Sequence, residues 1–203
     1  MIEIFTLPVG SLQANAHVIS NGEYAYLIDP GDEPQKIEQF LLKKKIKLSK
    51  ILLTHAHFDH CNAVKHFQDG GVQVVMHTED LNLVNTDGNL ARYCGVNFNR
   101  FKPDILVADG DKVDFFGKDI AVIHTPGHTD GSVCYLIDNV LFSGDTLFHL
   151  SVGRVDFPTG SAQKMRKSLK LLCKLDENIV VYCGHGEQSS IGFEKKNNPY
   201  VEL

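Results

Sequence analysis

Six consecutive residues, His55-Ala56-His57-Phe58-Asp59-His60, put three imidazoles and one carboxylate within reach of each other. Imidazole nitrogen and carboxylate oxygen are common protein donors to transition-metal ions, and His is the commonest such ligand. In extended backbone the side chains of His55 and His57 point the same way, so both can meet one ion. Asp59 and His60 then turn toward a second position. A polar surface turn would have to explain four donors in six positions, and metal binding is the reading adopted.

Three later segments carry donors of the same kind. In His124-Thr125-Pro126-Gly127-His128-Thr129-Asp130-Gly131, Pro and Gly force a tight loop after a strand and present His128 at its tip, where it completes the first imidazole set. His124 lies on the apolar strand itself and reads as a hydrogen-bonded buried histidine that supports the site without ligating. In Phe142-Ser143-Gly144-Asp145-Thr146 an apolar strand ends in a carboxylate, and the two oxygens of Asp145 can bridge two ions. Cys183-Gly184-His185-Gly186 supplies an imidazole for the second ion. Gly-Asp alone is usually a turn, so these assignments draw their weight from the first cluster.

Each cluster needs an element that delivers it. Period-two alternation and turn residues predict strands at 2–6, 16–20 and 24–29, with Asn21-Gly22 turning between the last two. Pro34 suits a helix's first turn, with Ile37, Phe40 and Leu41 at helical spacing. The cations Lys43-Lys44-Lys45 that end this helix offset its dipole, and no function is assigned to them. Ile51-Leu52-Leu53 is a continuous apolar strand running into His55. Further strands are expected at 72–76, 120–124, 132–137, 140–143 and 179–182, and a helix at 161–174 presenting Met165, Leu169 and Leu172. Residues 85–103 show little periodicity. Strands then helix, twice over, suggests two packed sheets with helices outside and the polar clusters gathered at one edge.

A chain of 203 residues fits one domain, 1–203, with 43% hydrophobic and 22% charged residues as in ordinary globular proteins. The net charge of −5 argues against a nucleic-acid partner, which would need clustered excess Lys and Arg. No window approaches the roughly 18 apolar residues of a membrane span, and the start lacks a basic segment followed by an apolar stretch. Five cysteines, an odd number without a CxxC pair, suit reduced thiols and a cytoplasmic location. A small molecule is the expected partner.

The set HAHFDH, TPGHTDGS, FSGDTLF and YCGHG, in this order, resembles the metallo-β-lactamase-fold hydrolases. That resemblance implies a four-layer αββα sandwich and two divalent ions, zinc foremost, with iron or manganese as alternatives. It implies His55, His57 and His128 on one ion, Asp59, His60 and His185 on the other, and Asp145 between them. Asp29 matches a position that supports the imidazoles from behind. Asp59 and Asp145 are the candidate catalytic carboxylates, Asp59 as a proton acceptor. Two ions about 3.5–4 Å apart lower the pKa of a water from near 16 toward 7 and so supply a nucleophile at neutral pH.

Within the family, GDTLF followed by Ser151-Val152-Gly153-Arg154-Val155-Asp156-Phe157 is similar to glyoxalase II and its short bacterial relatives, which implies a thioester substrate. Arg154 falls near a basic residue that contacts the substrate's carboxylate in that group; a structural salt bridge is the competing reading. The rival chemistry is a persulfide dioxygenase with a single iron. Other ester or lactone hydrolases share the fold.

Overall fold

A computed structural model describes residues 2–201. The first half builds a six-stranded sheet from β1 (Glu3–Val9), β2 (Ala14–Ser20), β3 (Tyr24–Ile28), β4 (Lys47–Leu52), β5 (Gln73–His77) and β6 (Ile105–Val107), side by side in that order. The β1–β2 and β2–β3 pairs are antiparallel and the remaining pairs parallel. Helix α1 (Pro34–Lys44) crosses from β3 to β4, as a parallel connection requires. Helices α2 (Phe58–Cys61) and α3 (Val64–Asp69) separate β4 from β5, and α4 (Leu81–Asn85) follows β5.

The second half repeats the plan with β7 (Lys112–Phe115), β8 (Lys118–His124), β9 (Val133–Ile137), β10 (Val140–Gly144), α5 (Ala162–Leu172), β11 (Val180–Cys183), β12 (Ser189–Ser190) and α6 (Ile191–Asn197). Its sheet runs β12-β11-β10-β9-β8-β7, and only β10–β11, the pair joined across α5, is parallel.

Alternation along the strands decides how the halves meet. In β3, Tyr26 and Ile28 face inward, where they join Leu52, Val75, Val122, Tyr135 and Phe142 in a core between the sheets. Ala25 and Leu27 face outward and pack with Ile37, Leu41, Val64 and Phe67 of the first-half helices. On the other outer face Leu141, Val181 and Cys183 pack with Met165, Leu169 and Leu172 of α5, the stripe its spacing predicts. Ser161 caps that helix by accepting from the amide of Lys164. The result is the αββα order of layers. Burying both faces of each sheet explains why the end of β4 with Leu53 and the start of β10 read as continuous apolar runs.

The expected elements appear with shifted ends. β3 stops at Ile28, since Asp29 takes a left-handed φ of 51°. The short edge strands β6, β7 and β12 lie beyond what periodicity detects in so few residues. Across 85–103 there is one 3-10 turn, Asp87–Asn89, and otherwise no regular element after α4 ends at Asn85. Lys43, Lys44 and Lys45 are exposed at the end of α1, with the Lys44 ammonium 4.5 Å from the centre of the Phe5 ring. No helix among the described residues is long and apolar enough to cross a membrane.

Candidate metal centre

The four polar segments all leave carboxyl ends of strands: His55 to His60 follow β4, His128 follows β8, Asp145 follows β10 and His185 follows β11. Strand ends at one rim of a sheet sandwich bring residues distant in sequence to one place. His57 keeps the extended backbone expected of the His55–His57 pair and caps α2, so Asp59 and His60 lie on the helix that turns away from that strand end.

The side chains form two adjoining groups. The ring nitrogens of His55, His57 and His128 converge in one, and Asp59, His60 and His185 in the other, with all donor atoms of a group within 4.8 Å of one another. His57 Nδ1 lies 2.8 Å from His128 Nε2, and His60 Nε2 lies 3.2 Å from His185 Nε2. Asp145 spans the groups, with Oδ1 3.3 Å from His60 Nε2 and Oδ2 3.5 Å from His128 Nε2. Such close approach requires Gly184, because a Cβ there would lie 2.2 Å from Asp145 Oδ1.

Partners behind the rings choose the tautomers. His128 Nδ1 donates to the Arg154 carbonyl at 2.7 Å, which leaves Nε2 as the lone-pair nitrogen facing the centre. Thr54 Oγ1 donates to Asp29 Oδ2 at 2.6 Å, so it accepts from His55 Nδ1 at 3.1 Å and His55 Nε2 is freed. His60 Nδ1 lies 3.0 Å from the same Asp29 oxygen. Asp29, only 1% exposed, also accepts the Thr54 amide at 2.8 Å, so one carboxylate braces two of the rings. The positive φ of Asp29 is part of that arrangement.

Electrostatics divide the rings. Burial, with neighbouring imidazoles adding to it, holds His55 and His57 well below the usual histidine range, so both are neutral. Burial acts the same way on His60, but the carboxylates of Asp145, Asp59 and Asp29 outweigh it and push that ring up to about 10. Asp59 is driven well below the carboxylate range although burial opposes this, chiefly by His60 and His185.

These residues fit divalent cations. His55 Nε2 and Asp145 Oδ1, both facing the centre, are buried without a hydrogen-bond partner, a costly state for polar atoms. Facing nitrogens at 2.8 Å share at most one proton, whereas a cation satisfies both lone pairs. Mixed imidazole and carboxylate donors suit zinc, iron or manganese.

Beside the groups opens a cleft of about 390 Å3 walled by Leu12, Phe58, Leu90, Phe148 and Phe157. Arg154 stands on its rim, held by Asp156 through two 2.7 Å bonds and stacked with its guanidinium carbon 3.9 Å from the centre of the Phe157 ring. The salt bridge that was one of the two sequence readings is therefore present, at the edge of the cleft. His124 stays apart from the two groups: half-buried, it hydrogen-bonds the Asp130 carbonyl at 2.8 Å and stacks on His77 at 4.2 Å, bracing the loop that carries His128. Thr54 was not singled out in the sequence, where a threonine beside a histidine gives no signal; its role rests on Asp29, 25 residues away.

An αββα sandwich with clustered His and Asp donors at one rim defines a class of metal-dependent hydrolases. The chain belongs to the metallo-beta-lactamase superfamily, whose description matches residues 9–185. It is 33% identical to hydroxyacylglutathione hydrolase GloC of Haemophilus influenzae over 208 residues, covering 98% of both chains. Among solved structures it resembles the BLEG-1 B3 metallo-beta-lactamase, with a TM-score of 0.93 at 33% identity, covering 98% of this chain and 99% of that one. It also resembles TTHA1623 in a di-iron-bound form, with a TM-score of 0.89 at 36% identity, covering 97% and 100%.

Proposed function

We propose that this metal-dependent hydrolase holds two divalent ions and cleaves small thioesters in a reducing, cytoplasmic compartment. One ion would be held by His55 Nε2, His57 Nδ1 and His128 Nε2 and the other by Asp59, His60 Nε2 and His185 Nε2, with Asp145 available to both. The position of Asp145 between the two imidazole groups carries this reading, because a two-oxygen ligand within 3.3 Å of one group and 3.5 Å of the other matches a paired site. When bound, such ions supply a water activated at neutral pH and a Lewis acid for a carbonyl oxygen. Zinc is the favoured metal, and the likeness to a di-iron protein keeps iron beside it.

The chain's own residues do the rest. Apolar walls at Phe58, Leu90 and Phe157 exclude bulk water and strengthen polar contacts at the floor of the cleft. Asp59, held as a carboxylate, would serve as a ligand and offers no neutral acid at the cleft floor to protonate a leaving group. A thiol needs none, since its pKa near about 8.5 makes it a good leaving group, which favours thioesters over amides. Arg154 presents a cation to a carboxylate on the substrate. The similarity to hydroxyacylglutathione hydrolase GloC supports the same substrate class. All five cysteines carry free thiols, in keeping with a reducing compartment.

The test is elemental analysis of the purified protein together with steady-state kinetics on S-D-lactoylglutathione and simpler thioesters. About two metals per chain and thioester turnover are expected, with turnover lost in His57→Ala and Asp145→Ala. One iron per chain with oxygen consumption on a persulfide would replace this reading with the dioxygenase one.

A further inference from the structure

A second buried carboxylate, unconnected to Asp29, ties the same rim together. Asp80 ends the 3-10 turn Thr78–Asp80 just after β5 and is fully buried. Its Oδ2 accepts from the amide of Ala56 at 2.9 Å and from Thr129 Oγ1 at 2.8 Å, and its Oδ1 accepts from the amide of Gly131 at 2.7 Å. Ala56 is the residue between His55 and His57. Thr129 follows His128. One carboxylate thus crosslinks both loops that supply the first imidazole group, from partners 24, 49 and 51 residues away.

We propose that Asp80 is a positioning residue for the first ion, setting the separation of the His55–His57 loop from the His128 loop. The hydrogen-bond directions support a fixed carboxylate. Thr129 spends its one hydroxyl proton on Asp80, so the Ser132 hydroxyl, 2.8 Å away, donates to Thr129 Oγ1 while accepting the Thr129 amide at 3.0 Å. Each proton in this chain has one place to go, and the loop cannot shift without breaking a bond. Packing enforces the same distance, because a Cβ on Gly131 would fall 2.5 Å from the Asp80 backbone nitrogen. The three donors all face acceptor oxygens, a pattern an amide cannot reproduce. Asn in place of Asp80 directs an NH2 group at either the Gly131 amide or the Ala56 amide and Thr129 hydroxyl. His57 Nδ1 and His128 Nε2, now 2.8 Å apart, belong to different loops and rely on this bridge for their spacing.

This inference rests on the two-ion reading, and cobalt(II) titration against a chelator, followed by visible absorption, separates the two. Wild-type protein should bind two cobalt ions. Asp80→Asn should keep one at wild-type affinity and hold the other about 10–100-fold more weakly, with a changed absorption band, as for loss of a group orienting a ligand. Thr129→Val, which removes one donor and leaves the carboxylate, should weaken the same ion by at least about threefold and decides the matter if Asp80→Asn does not fold. Unchanged affinities and spectrum, or equal weakening of both ions, would overturn the role of Asp80 alone. Wild-type protein lacking the first cobalt site would overturn the two-ion reading and this inference with it.

Discussion

The ring of His128 donates from Nδ1 to the main-chain carbonyl of Arg154 at 2.7 Å, so a segment that lines the cleft also orients an imidazole of the candidate metal centre. The side chain of the same arginine is held by Asp156 at the rim of that cleft. One residue therefore serves the two neighbours through different atoms, and those services separate by mutation.

Arg154→Ala removes the guanidinium and keeps the carbonyl. Metal content should match wild type, while KM rises several-fold for thioesters bearing a carboxylate and stays level for uncharged ones. Loss of metal on this substitution would show that the side chain also maintains the backbone beneath His128.

Asp29→Asn faces three donors, the Thr54 amide, the Thr54 hydroxyl and His60 Nδ1, with an amide that can accept from only some of them. Affinity for the ion on His60 should fall about 10–100-fold. Competition with a chelator measures it. Asp29→Ala should lose more, because it removes the acceptor of all three buried donors.

In the ion-free protein His60 is protonated up to about pH 10, its burial outweighed by Asp145, Asp59 and Asp29. Ligation requires a neutral ring, so metal uptake at pH 7 should release about one proton and affinity should rise with pH until that value. Calorimetry in buffers of different ionisation enthalpy counts the proton. The sign for stability is the reverse. A histidine raised above its ordinary value of 6.5 stabilises the ion-free fold fully below about 6.5, and this stabilisation is lost as pH rises through about 10.

His17 carries the opposite sign. Buried on β2, it accepts from Thr6 and donates from Nε2 to the Cys183 carbonyl at 3.0 Å, tying the first sheet to β11. Burial lowers its pKa from 6.5 to about 4, so the unfolded chain takes up a proton there before the folded one does. Stability should fall by roughly 3 kcal/mol between about pH 6.5 and 4, judged from about 1.4 kcal/mol per pKa unit. Urea denaturation at the two ends of that range checks it. His17→Gln should flatten the slope.

The donors were legible in the sequence because they are compressed: four sit in six residues, and the rest follow apolar runs that announce strand ends. Alternation and helical spacing report burial on a local scale, so they found β3, β4, α1 and α5, and the likeness of whole motifs supplied the order of layers. Local signals fade where elements are short. β6, β7 and β12 have four residues or fewer, and 85–103 has almost no repeating element to report.

What the order of residues determined by itself was the stock of donors and the strands that carry them to one rim. Only the tertiary structure decided which nitrogen of each ring faces the centre, that Arg154 is clamped by Asp156, that Asp29 braces His55 and His60, and that Asp80 ties the His55–His57 loop to the His128 loop. The physical reason is that a hydrogen bond or a buried carboxylate is defined by what lies within about 3 Å in space. The partners of Asp80 are 24 to 51 residues distant along the chain, a separation that no local pattern encodes.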